Sequence, residues 1–147
     1  MAAGNVTLYK NFALQVEQAG HNLATDTIVC VLATATYTPV ANTDALWSAV
    51  SANEAAGTGY TAGGTALTTK TVTLAAGVTT FAADPLTWAA STITAKYAVL
   101  VRRAGASLAA GDKLIAYCDL NNSGGSVSTT AGALTITWNA SGLFSLN

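Results

Sequence analysis

Charge is what this chain has least of. Of its 147 residues 9% are charged, six of them basic and seven acidic, and the formal net charge is −1. An average soluble protein carries about 25%. Phosphate backbones and anionic membranes are held by clustered lysine and arginine, so neither nucleic acid nor a membrane is expected as a partner. The one basic pair, Arg102-Arg103, closes an apolar run and reads as a strand-edge or contact pair. Cysteine is limited to Cys30 and Cys118, with no C-x-x-C spacing and no histidine beside either, so no metal or cofactor is expected. Each lies in an apolar run and reads as a buried free thiol, with their pairing left open. No apolar run reaches the roughly 18 residues of a membrane-crossing helix. The start, Met1-Ala2-Ala3-Gly4-Asn5, lacks the basic and long apolar regions of a secretory signal. The expectation is a chain made in a cytosol that stays there or leaves as part of a larger object. On that view the three N-x-S/T triplets, at Asn5, Asn121 and Asn139, are chance matches in a threonine-rich chain.

Groups for catalysis are equally scarce. His21 is the only histidine, and no G-x-S-x-G supplies a nucleophile for it. It follows Gly20 at an expected helix end, where a cation would sit well against the helix dipole. The acids Glu17, Asp26, Asp44, Glu54, Asp84, Asp112 and Asp119 are scattered, mostly at turns or caps, where Asp serves the local backbone. The chain is not expected to be an enzyme.

What is abundant is small and uncharged. Hydrophobic residues make up 51%, with 31 alanines, and 23 threonines supply most of the polar surface. Solubility leans on net charge, so much of this surface is expected to be covered by other protein chains.

The periodicity is mostly that of strands. Residues 10–19 form the best helical pattern, with Leu8, Phe12 and Val16 at helical spacing and Gly20 as the stop. Residues 26–35 read as a buried strand, and residues 42–50 as one or two helical turns capped by Asn42, Thr43 or Asp44, with Leu46, Trp47 and Val50 inward. Further strands are expected at 66–74, 78–82, 95–103, 113–120 and 133–139, with short extended pieces at 86–88 and 92–94, and residues 143–146 close the chain. Seven to nine strands, with turn signals every 8–12 residues or so, suggest an antiparallel β-sandwich or barrel. Residues 1–9 read as a polar N-terminal arm that orders against a neighbour, and residues 10–147 as one domain.

The segment Gly57-Thr58-Gly59-Tyr60-Thr61-Ala62-Gly63-Gly64 is the most distinctive. A phosphate cradle of the G-x-G-x-x-G kind needs a strand before it and a helix after, whereas here a strand follows. The glycines fit a tight loop or bulge, or close backbone approach to another chain. Trp47, Tyr60 and Trp88 lie near chain breaks, where aromatic rings serve as interface anchors. With Gly59, Gly63 and Gly64 they are the candidate interface residues. A row of exposed rings would instead suit a sugar.

The same segment resembles a signature of small structural proteins from tailed bacteriophages. The resemblance also runs through Asp26 to Leu32, Tyr37-Thr38-Pro39, Leu86-Thr87-Trp88, Tyr97 to Val101, Leu114 to Tyr117 and Ile136 to Gly142, nearly the whole chain. It implies a mainly β, jelly-roll-like sandwich with one short N-terminal helix, acting as a dimer or trimer on a capsid. It implies a decoration or cement protein on the outer surface of the icosahedral head, with the major capsid protein as partner, and it supplies no catalytic residues. A tail or fibre-base structural protein, and a carbohydrate-binding sandwich used in adsorption, are the alternative expectations.

Overall fold

Three largely apolar runs make the centre of the molecule. The computed structural model describes residues 5–18 and 20–146. In chain order the strands are β1 (Val6–Leu8), β2 (Ile28–Ala33), β3 (Gly57–Thr58), β4 (Thr65–Ala66), β5 (Thr71–Ala75), β6 (Val78–Ala82), β7 (Leu86–Ala95), β8 (Tyr97–Arg102), β9 (Lys113–Asp119), β10 (Val127–Ser128), β11 (Gly132–Ile136) and β12 (Phe144–Leu146), with one helix, α1 (Lys10–Glu17). A five-stranded antiparallel sheet runs β1-β9-β8-β2-β4. A four-stranded sheet is built around β7, which pairs with β3, β10 and β11, and a three-stranded sheet runs β12-β6-β5. The chain is therefore mainly β, antiparallel and sandwich-like, with one short helix. Its strands group in fives, fours and threes, an arrangement in which a jelly-roll order is not apparent.

Successive strand residues point to opposite faces, and here both faces of the central sheet are apolar. Ile28, Cys30 and Leu32 of β2 join Ala98, Leu100, Ala116 and Cys118 in the larger core, closed by Phe81, Trp88, Ile93, Leu134, Ile136 and Phe12 of α1. Val29, Val31 and Ala33 join Val99, Val101 and Leu114 on the other face, covered by Tyr9, Tyr37, Trp47 and Val50. All six residues of β2 are buried. One bulge, between Leu100 and Val101 opposite β9, turns Ile115 into the larger core beside Ala116.

Several expected boundaries move, each for a local reason. The pattern over 66–74 is not one strand. Leu67 is buried beside β2, Thr69 takes a positive φ of 48°, and the chain then changes sheets to form β5. The pieces at 86–88 and 92–94 are one strand, β7, with a positive φ of 47° at Ala90 inside it. Residues 42–50 form no α-helix. Leu46 makes a bridge to Lys113, and Trp47–Ala49 is a single 3-10 turn that buries Trp47 and Val50 as expected. That turn has no side-chain cap, and Asp44 instead accepts from the Val40 amide at 3.0 Å. The arm is also reassigned over its described part. Val6, Thr7 and Leu8 pair with Cys118, Tyr117 and Ala116 of the same chain, while residues 1–4 lie outside the described residues, as does Ala19.

The β5–β6 hairpin turns through Ala76 and Gly77, both at positive φ (49° and 81°). That is a type I′ turn, which favours Asn-Gly. Alanine in the left-handed region costs about 1 kcal/mol. Ala76→Asn is therefore expected to raise the urea midpoint by the equivalent of about 0.5–1 kcal/mol at an unchanged m-value. An unchanged or lower midpoint would contradict this description of the turn.

Candidate functional site

The glycine segment is folded onto its own chain. Gly57 and Thr58 pair with Ile93 and Thr92 of β7, and a Cβ at Gly57 would fall 2.0 Å from the Thr92 carbonyl oxygen. At the far end Gly64 has a φ of 69°, and its Cβ would lie 2.2 Å from the Cys30 carbonyl oxygen. Only glycine permits both the conformation and the approach. Between them Tyr60 leans inward, its ring 6.1 Å from that of Trp88. The Tyr60 hydroxyl accepts from the Leu32 amide at 3.1 Å and donates to Glu54 Oε1 at 2.7 Å. The same oxygen accepts from the Gly63 amide at 2.6 Å. One carboxylate thus ties the tyrosine and the second glycine pair together, and burial pushes the phenol pKa up. Sequence reasoning missed Glu54 in this role; its place six residues before Tyr60 was the available signal.

The candidate interface residues do not form one surface. Trp47 and Trp88 are core residues, on opposite sides of the central sheet, and as placed neither ring is free to anchor a partner. This corrects their assignment as surface anchors. Each fills one of the two cores. The Trp88 Nε1 is buried without a hydrogen-bond partner among the described residues. Tyr60 is half-buried, Gly63 and Gly64 are partly buried, and Gly59 is exposed. Trp47, Gly63 and Gly64 do meet at the wall of a cavity of about 400 Å³, with Thr61, Arg103 and Ser107 beside them. All eleven aromatic rings are at least partly covered, so no row of open rings offers a platform for a sugar.

The ionisable groups serve the fold. Tyr37 donates to Asp44 Oδ2 at 2.8 Å, so the Tyr9 hydroxyl, 2.6 Å away, donates to Tyr37. Burial raises both phenol pKa values and keeps the protons on this relay. The His21 side chain is buried against α1 rather than standing free at the helix end. Burial, and then the Arg102 charge, lower its pKa, with Asp26 opposing. The His21 Nε2 lies 2.8 Å from Gln15 Oε1, Nδ1 lies 3.8 Å from Asp26 Oδ2, and the ring packs against Phe12. Cys30 and Cys118 are free buried thiols; burial pushes Cys118 up to about 12 and Cys30 well above its ordinary value. Among the described residues no three of His, Cys, Asp and Glu gather as metal ligands would.

No family model, no curated protein and no solved structure matches this chain.

Gly64→Ala tests the close approach directly. With a left-handed φ and a contact to rigid backbone, it is expected to destabilise by more than about 2 kcal/mol. Gly63→Ala shares the positive φ, but its Cβ would meet nothing within 4 Å, so a cost of only about 1 kcal/mol is expected. Equal losses in urea unfolding would contradict the loop's packing onto β2.

Proposed function

We propose that this chain is a structural protein of a tailed-phage particle, a decoration or cement protein on the outside of the head that bridges neighbouring subunits of the major capsid protein. The reading rests on the resemblance carried by residues 26–142 and on one observation above all, that most of the chain's few acids are engaged within the chain itself. Asp26 holds Arg102 and the Asn22 amide. Asp44 holds Tyr37 and the Val40 amide. Glu54 holds Tyr60 and the Gly63 amide. Asp84 accepts from Thr69. Asp112 holds the amides of Ala104 and Ala109. Asp119 holds Lys96 and the Asn121 amide. Six of the seven acids are thereby committed to loops and strand ends. The exterior is rich in threonine, serine and alanine, with Leu14, Val16, Val40, Val72 and Leu74 exposed beside a few charges such as Lys10, Glu17 and Asp84.

Such a surface suits contact with other protein better than life as a dilute monomer. Function then follows from mass action. A protein that binds only the assembled shell stabilises it, and weak contacts repeated over a lattice gain by avidity. With Trp47 and Trp88 buried in the two cores, the contacts fall to the exposed apolar residues and the hydroxyl-rich loops, including Gly59 to Ala62.

Cryo-electron microscopy of the particle that carries the protein tests the reading. Density lying over the head lattice and bridging neighbouring capsid subunits is expected. Density confined to the tail would overturn it in favour of a tail or fibre-base role, and a particle without the protein would overturn both.

A further inference from the structure

Among the described residues, β5 of the β5–β6 hairpin is the longest strand whose residues are all exposed. β5 is an edge strand of the β12-β6-β5 sheet, and all five of its residues are exposed. Its inner face should be covered, because Val72 stands opposite Phe81, a core residue, and directly opposed residues share a face. Leu74 stands on the same face two residues on. Yet Val72 is 42% and Leu74 73% exposed. The hairpin carries its apolar face past the limit of the core.

The free edge is also ready to pair. The two-residue turn closes on Ala75 and Val78, so the backbone groups of Ala75, and of Thr73 and Thr71 by alternation, face β6. Those of Val72 and Leu74 face outward. Folded proteins guard such edges with charge, proline or bulges. Residues 71–83 contain no charge and no proline, and the pairing of β5 with β6 runs in unbroken register.

We propose that β5 pairs antiparallel with β5 of a second copy of this chain, across a two-fold axis at Thr73. The occupant follows from self-complementarity. A two-fold places like residues near one another, and a charged strand would repel itself, whereas this one has no charge to oppose. Centred on Thr73, the pairing sets Val72 against Leu74 of the partner subunit and Leu74 against Val72 of the partner subunit. These are the residues whose backbone groups face outward, so both pairs close hydrogen bonds. Their side chains then form one apolar strip on the face that each copy leaves uncovered. Thr73 meets its own symmetry mate as a non-hydrogen-bonded pair. The three-stranded sheet becomes one of six strands across the dimer. This pairing goes beyond the capsid reading and does not depend on it, since a dimer that never touches a capsid would still be built this way.

The test uses the purified chain. Sedimentation equilibrium is expected to give a dimer, and Leu74→Lys is expected to weaken it by on the order of a hundredfold. Because Leu74 is exposed in the monomer, the variant should keep its circular dichroism spectrum. Thr73→Cys adds a geometric test. A non-hydrogen-bonded antiparallel pair has Cα atoms about 4.5 Å apart, within disulfide range, so rapid oxidation to a covalent dimer is expected. Thr71→Cys would lie roughly 13 Å from its mate and should not cross-link, and the two native thiols are buried. A monomeric wild type, or a dimer that survives Leu74→Lys and leaves Thr73→Cys uncrosslinked, would overturn the proposal.

Discussion

The structure depends on burying the central sheet on both faces. β2, β8 and β9 carry apolar side chains up and down, and a sheet of that kind is stable only if something covers each side. On one side the cover is the sheet built around β7, together with β6, β12 and α1. On the other it is the irregular stretch from Thr34 to Val50, which brings Tyr37, Trp47 and Val50 down onto Val29, Val31 and Val101. The positions of the loops follow from that need. The segment after β2 must double back, and the glycine segment must cross the edge of β2 closely enough that a side chain at Gly64 would strike it.

With so few charges available, where they go matters. Six carboxylates end at backbone amides, hydroxyls or a basic partner within the chain, and each fixes a loop that covers one of the two cores or a turn that leads into it. Glu54 is the clearest case, joining the end of the second 3-10 turn (Ser51–Asn53) to Tyr60 and Gly63. Asp112 does the same for the loop between β8 and β9, accepting from Ala104 and Ala109. Charge used in this way holds the fold and leaves few charges over for the exterior, and the proposed role in assembly rests on that scarcity.

The central strands were legible in the sequence because burial on both faces leaves continuous apolar runs with polar stops, as at 28–33 and 113–119. The role of aspartate at turns was legible for a similar reason: the short side chain acts on its own neighbourhood. The break at Thr69 and the fusion of two pieces into β7 were not legible. Both hang on single non-glycine residues at positive φ, Thr69 and Ala90, imposed by distant pairing. The tryptophans were misplaced because proximity to a chain break says nothing of which way a ring turns. The glycine segment was rightly picked out as a place of close approach, but the backbone approached belongs to the same chain. The exposed hairpin was hidden because its alternation looks the same whether the inner face is covered or bare.

The molecule thus combines a glycine segment locked onto its own core with a β5 edge left open. Residue-resolved hydrogen exchange tests that contrast most directly. The account predicts slow exchange at Gly63 and Gly64 at any protein concentration, whereas the Val72 and Leu74 amides should exchange fast in dilute protein and become protected as concentration rises. Fast exchange through residues 57–64, together with concentration-independent protection at Val72 and Leu74, would contradict it.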